Sequence, residues 1–247
     1  MVLNKTYFTE GRKAEGEGVS YGITGGGNTI LNTTIDSLII TDMFYTNVDA
    51  DIVNLGHLED ARGVKILGLL GASLFKEVEM EIDYRNNLLI LYKLDKEGNR
   101  IVGNERTQLP DVDISIDITN DIIFMDVVAA EKKLRFCLDT GAERNVISNT
   151  LSNKIIKHFQ LTTPGGLTGS NGNSQLILNG QMDSVIIGGK SFVAMPFILT
   201  NLNYLQLVYD TNINGILGYD YLSKGIVTIN HKKKRLTMYF YTAIKTE

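Results

Sequence analysis

Apolar and polar residues alternate in short runs along this chain, and Gly and Asn break the runs. Glu79-Met80-Glu81-Ile82-Asp83 and Asp113-Ile114-Ser115-Ile116-Asp117-Ile118 switch character at every residue. That is the period of a strand with one face buried. Ile, Val, Leu and Thr dominate such segments, so the pattern predicts a mostly-β protein. Met1 to Leu3 opens the chain. Ile35 to Ile40 reads as a strand and Asp42 to Asn54 as extended or irregular. Val64 to Leu67 reads as a buried strand running into a short helix, Gly71 to Phe75. Glu79 to Asp83, a turn to Asn87 and a return over Leu88 to Tyr92 make a hairpin. Further on, Asp113 to Ile118, Ile122 to Ala129, the segment into Asp139 and Val146 to Ser148 read as strands. A short helix fits Leu151 to Phe159. Met182 to Ile187 and Phe192 to Leu199 are strands, Gly215 to Tyr221 is a strand-to-helix corner, and Ile226 to Tyr239 a closing hairpin. Residues 22–28 and 166–173 are glycine-rich and read as hairpin tips.

The pattern occurs twice. Gly68-Leu69-Leu70-Gly71 matches Gly215-Ile216-Leu217-Gly218, a shift of 147 residues. The same shift carries Ile82 to Ile229, Leu89 to Leu236, Tyr92 to Tyr239, and Asp36 to Ile40 onto Asp183 to Ile187. Two copies of one unit are expected, 1–95 and 107–247, joined by the polar stretch Lys93 to Arg106.

Composition narrows the picture. The 247 residues are 43% apolar, enough for one large or two small cores, and carry a net charge of −4. Nothing advertises nucleic acid. No apolar run approaches the ~20 residues of a membrane span, and the opening residues are not a signal peptide. The single cysteine, Cys137, excludes an intrachain disulfide and reads as a packing residue. His57, His158 and His231 are scattered, show no metal-ligand spacing and read as ordinary surface residues. His231-Lys232-Lys233-Lys234-Arg235 falls on the turn Tyr84 to Leu88 of the other copy, which makes it a solvated turn rather than a basic patch. No metal or cofactor motif is present.

One stretch carries chemistry. In Leu134-Arg135-Phe136-Cys137-Leu138-Asp139-Thr140-Gly141-Ala142 an apolar strand drives into a tight turn that presents one carboxylate. Thr140 can pin that loop and Gly141 admits close backbone approach. Asp139-Thr140-Gly141-Ala142, the hairpin at 166–173 and Ile216-Leu217-Gly218 stand in the order found in the retropepsin-like aspartic proteases. The tandem arrangement resembles the two-copy retropepsin-like proteins of bacteria.

The resemblance implies two acid-protease β-barrel lobes in tandem, related by a pseudo-twofold axis, the first incomplete. It implies catalytic roles for Asp139, Thr140 and Gly141. It implies substrate contacts from Ala142, from Thr168, Gly169 and Ser170 of one flap, and from Thr24, Gly25 and Gly26 of the other. Peptide or protein would be the substrate, with no metal or cofactor, and export to the periplasm or cell surface is expected if a longer native chain carries a signal. Two carboxylates about 3 Å apart share one proton and activate a water.

Here the chain departs from the family. A shift of 144 sets Val2-Leu3-Asn4 on Val146-Ile147-Ser148 and Gly22-Ile23-Thr24-Gly25 on Gly166-Leu167-Thr168-Gly169. The first copy then starts just after the loop that would hold its acid. Asp36, Asp42, Asp49 and Asp51 lie in no such turn. The expectation is that a longer native chain carries a second Asp-Thr/Ser-Gly within about ten residues upstream of Met1, or that a second molecule in a homodimer supplies it. The alternatives are a non-catalytic relative that binds peptides or serves structure, and an unrelated β protein with a chance Asp-Thr-Gly.

Overall fold

A computed structural model of the chain describes residues 1–8, 16–21, 27–103, 106–168 and 174–241. It is mostly β. The first compact unit, residues 1–74 with 166–175, holds one sheet. Its strands are β1 (Val2–Asn4), β2 (Gly16–Tyr21), β3 (Gly27–Ile40), β4 (Met43–Val53) and β5 (Gly68–Leu69), ordered β2-β3-β4-β1-β5. Helices α1 (Lys5–Phe8) and α2 (Gly56–Arg62) connect them, and a 3-10 turn spans Ala72–Phe75. Leu3, Ile35, Ala50 and Ile52 form the core of this unit.

The second unit, residues 75–165 with 176–247, begins with the hairpin β6 (Val78–Asp83) and β7 (Leu88–Lys93). It continues through β8 (Val112–Ser115), β9 (Asp117–Thr119), β10 (Ile122–Ala129), β11 (Lys132–Leu138), β12 (Val146–Ser148), α3 (Asn153–Ile156), β13 (Phe159–Thr168), β14 (Ser174–Ile187) and β15 (Lys190–Thr200). It ends with α4 (Asn203–Val208), β16 (Gly215–Leu217), α5 (Tyr219–Leu222), β17 (Gly225–Asn230) and β18 (Arg235–Phe240). Eight strands run β13-β14-β15-β12-β16-β11-β10-β9, and β14 also meets β10 at Val128 and Ile186. That pairing closes six of them into a barrel filled by Phe136, Ile147, Met182, Phe197 and Leu217, all fully buried, while Phe124 is buried on the outer face beneath Arg135.

The repeat is present in the backbone. A shift of 147 carries the bounds of β3, β4, β6 and β7 onto those of β14, β15, β17 and β18. It also carries four left-handed residues, Thr41, Asn47, Gly63 and Asn87, onto Gly188, Ala194, Asp210 and Lys234, each again with positive φ. The β3–β4 ladder steps from Ile35–Val48 to Ser37–Thr46, and β14–β15 makes the same step from Met182–Met195 to Ser184–Val193.

A third sheet, β7-β6-β17-β18-β8, sets the two closing hairpins side by side. Met80 faces Ile229, Ile82 faces Val227, and Glu81 faces Thr228, its own counterpart under the shift. The register therefore has a local twofold through Glu81 and Thr228. The polar stretch after β7 folds back onto this sheet. Arg100 pairs with Glu79 at 2.6 Å and Arg106 with Glu81 at 2.7 Å, while Arg100 lies 3.6 Å from the Tyr92 ring centroid.

Several expectations are corrected. Val64 to Leu67 is neither strand nor buried: the strand is Gly68–Leu69, and Val64 and Leu67 are exposed. No strand lies on the outer side of β5 among the described residues to cover that corner. In β6 both faces are partly buried, Val78 and Met80 on one and Glu81 and Asp83 on the other, while Ile82 is half-buried. The arginines satisfy Glu81, and Tyr241 Oη donates to Asp83 at 2.6 Å. A buried carboxylate is stable where its charge is paired or hydrogen-bonded. The run from Asp113 to Ile118 splits at buried Ile116, one half pairing β18 and the other β10. His231 is buried, not on the surface, and both its ring nitrogens lack a partner among the described residues. The tips between β2 and β3 and between β13 and β14 fall at 22–26 and 169–173, outside the described residues.

Candidate active site

Strand β11 brings the acid to its place. Leu134, Phe136, Cys137 and Leu138 are buried, so the strand is anchored up to the residue before Asp139. It runs parallel to β16, with Phe136, Cys137 and Leu138 opposite Gly215, Ile216 and Leu217. Strand β16 in turn lies antiparallel to β12. The two arms of the acid loop, β11 and β12, thus flank one short apolar strand, and residues 139–145 bridge over its end.

The bridge is held by hydrogen bonds. Asp139 N–H donates to Leu217 O at 3.0 Å and Ala142 N–H to Asp139 O at 3.2 Å. Gly141 N–H donates to Asp139 Oδ1 at 2.8 Å, which orients the carboxylate. A Cβ on Gly141 would stand 3.2 Å from that same oxygen, so glycine leaves the acid room. Asp139, Thr140 and Gly141 are exposed and Ala142 is half-buried.

The pin of the loop is Asn145, not Thr140, whose hydroxyl has no described hydrogen bond. Asn145 is fully buried. Its Oδ1 accepts from Gly218 N–H at 2.9 Å, its Nδ2 donates to Pro196 O at 3.1 Å, and its backbone N–H donates to Asp220 Oδ2 at 3.0 Å. Asp220 also receives Arg144 Nε at 2.9 Å. Tyr219 N–H donates to Ala142 O at 2.8 Å. Gly218 sits so close that a Cβ there would lie 2.5 Å from Ala142 O and 2.8 Å from Arg144 O. The apolar-apolar-glycine corner is a clamp on the acid loop.

Two tyrosines, Tyr84 and Tyr209, feel the Asp139 charge. Tyr84, from the β6–β7 turn, meets Tyr219 edge to face at 5.2 Å between centroids. Burial, and then the Asp139 charge, hold the Tyr84 phenol above the usual tyrosine range. Tyr209 is raised by burial, the Cys137 thiol and Asp139. Both phenols stay protonated and available as donors. Burial and the same charge push the Cys137 thiol up to about 12, which fits a packing residue.

Of the positions expected to contact substrate from flaps, Thr168 ends β13, while Thr24, Gly25, Gly26, Gly169 and Ser170 lie outside the described residues. Sequence reading missed Asn145, Arg144, Asp220 and the three tyrosines. Only Asn145 carried a signal, a polar residue caught between the acid turn and an apolar strand. Among the described residues no group of His, Cys, Asp and Glu could hold a metal ion, and no helix is long and apolar enough to cross a membrane.

Comparison with known proteins agrees with the geometry. Residues 125–221 match the family model for aspartyl protease, a span that runs from β10 through the acid loop to α5. Over that segment the chain is similar to the retropepsin-like aspartic protease family. Among solved structures it resembles a retropepsin-like aspartic protease from Rickettsia conorii, with 18% identity over 51% of this chain and 88% of that one and a TM-score of 0.35. No curated protein matches the chain.

Proposed function

We propose that the protein is an aspartic endopeptidase in which Asp139 is one of two carboxylates that activate a water. The observation that carries this reading is the exposed Asp139 carboxylate at the end of a buried strand, oriented by Gly141 N–H and clamped by the Gly218 corner. A carboxylate so placed keeps its position without reorganising when charge develops.

The chemistry needs a second acid. Two facing carboxylates cannot both ionise at contact distance, so the pair holds one proton. The ionised member takes a proton from the water as it attacks the scissile carbonyl. The protonated member gives its proton to the carbonyl oxygen, forming a tetrahedral diol, and the amine leaves after proton return. The second acid comes from another loop of the Asp139 type. Flap residues Thr24, Gly25, Gly26, Thr168, Gly169 and Ser170 hold the peptide in an extended form.

Digestion of a peptide library by the protein supplied with the second acid loop, with Asp139 or with Asp139→Asn, tests the reading. The asparagine keeps shape but cannot share the proton, so cleavage falls to background while the circular dichroism spectrum is unchanged. Cleavage by Asp139→Asn at the wild-type rate would remove Asp139 from the mechanism and favour a peptide-binding or structural role.

A further inference from the structure

The acid loop ends in an ion pair that leaves most of its arginine unused. Arg144 Nε donates to Asp220 Oδ2 at 2.9 Å, and the same oxygen accepts Asn145 N–H at 3.0 Å. Asn145 is fully buried and tied to Gly218 and Pro196, so that oxygen is a fixed point. The Asp220 side chain is 17% exposed and that of Arg144 43%. A guanidinium carries five N–H donors in a planar fork. Here the Nε donor is anchored, and the two Nη groups make no hydrogen bond among the described residues. Other arginines of this unit use theirs within the fold. Arg135 gives its Nη groups to Thr211 and Asp117, and Arg235 gives Nε and Nη2 to Asp113.

Arg144 belongs to the same loop as Asp139, and the loop doubles back between them. Ala142 N–H donates to Asp139 O at 3.2 Å, and Ala142 O and Arg144 O lie 2.5 Å and 2.8 Å from one Cβ position on Gly218. We propose that Arg144 is a specificity-determining residue that receives a Glu or Asp side chain of a peptide laid across the acid loop. The substrate carboxylate bridges the two Nη groups as a bidentate, charge-assisted pair. Asp220 holds the Nε edge, so the head is already oriented when the peptide arrives. A lysine could not serve both carboxylates in this way, because its ammonium lacks the planar fork. Asp139 and Glu143 are acidic neighbours on the loop. Their repulsion sets the acidic side chain away from the scissile bond. The inference rests on the endopeptidase reading for where the peptide lies, not for what Arg144 binds.

The test uses matched peptides that carry Glu, Gln or Lys at a single position, scanned along the sequence, at about pH 6 where Glu is ionised. Hydrolysis is followed with the protein supplied with the second acid loop. Binding of the same peptides to Asp139→Asn is followed by fluorescence anisotropy. At one position Glu should exceed Gln by about 10-fold in kcat/KM and in affinity, and the preference should shrink as salt is raised. Arg144→Gln abolishes it, Arg144→Lys keeps part of it, and Arg144→Glu turns it into a preference for Lys. A loop merely loosened by loss of the Asp220 tie would slow all three peptides alike and could not invert their order. Equal behaviour of Glu and Gln peptides at every position overturns the proposal. So does a Glu preference that persists unchanged in Arg144→Gln, or an Arg144→Glu variant with the wild-type order. A Glu preference in binding that follows Arg144, with no peptide cleaved, supports the assignment and counts against the endopeptidase reading instead.

Discussion

Gly68-Leu69-Leu70-Gly71 and Gly215-Ile216-Leu217-Gly218 share composition, glycine spacing and the pairing of their inner edges, yet one is open to solvent and the other sealed. Hydrophobicity is equal in the two, so it does not decide burial. The neighbour on the outer edge decides: β11 covers β16, and its Phe136 ring fills the space where a Cβ on Gly215 would intrude at 2.1 Å. The same neighbour delivers Asp139. Burial of the corner and possession of an acid loop are therefore one structural event.

Paired substitutions break or sharpen this contrast. Leu217→Ala empties a fully buried site and should cost about 2–5 kcal/mol, read as a lower urea midpoint for the second unit. Leu70→Ala at the matching exposed position should change stability by less than about 0.5 kcal/mol. Equal losses at the two positions would show that the β5 corner is packed after all.

The glycines differ in the same sense. Gly218→Ala forces a methyl against Ala142 O and Arg144 O and should destabilise by about 1–3 kcal/mol, with the acid loop displaced. Gly71→Ala meets open space and should be close to neutral. Amide shifts of residues 139–145 in each variant check both statements.

The smallest effect concerns another matched pair, Tyr84 and His231, which occupy equivalent hairpin turns under the shift of 147. Burial lowers the His231 pKa, with the Asp121 charge raising it and Lys76 lowering it in lesser degree. A folded value below the unfolded one means that the unfolded chain takes up the proton first. The associated stability is complete above about 6.5 and is lost as pH falls from there through the lower folded value. His231→Phe should flatten this slope in thermal melts between about pH 7 and 5, whereas Tyr84→Phe should leave it in place.

Much of this was legible in the sequence. Ile122 to Ala129 and Val146 to Ser148 are strands over those same residues, because each is an apolar run bounded by turn residues. The repeat was legible because the shift preserves residue type at packed positions. Helices α2 and α4 were missed. Both begin after a leucine, Leu55 or Leu202, with no side-chain cap, so the usual start signal is absent. The repeat itself held the clue, since Leu55 and Leu202 are 147 apart and have nearly the same φ and ψ. Burial of Glu81 was not legible, because Arg100 and Arg106 reach it from a stretch that looks like a linker. Tyr84 could not be assigned to the acid loop from sequence, since its place there depends on the pairing of β6 with β17. For the candidate site, the Asp139 turn and the Gly218 corner were legible, and the Asn145 pin between them left one trace, a polar residue caught ahead of an apolar strand.

The most direct test of the account is the rate of peptide hydrolysis by the protein supplied with a second acid loop of the Asp139 type, measured across acidic to neutral pH. Four combinations are compared: acid or amide at position 139, and acid or amide at the matching position of the second loop. The account predicts cleavage only when both carboxylates are present, with a bell-shaped pH profile from the shared proton. Cleavage that survives replacement of either carboxylate, or no cleavage by the fully acidic pair, would contradict it.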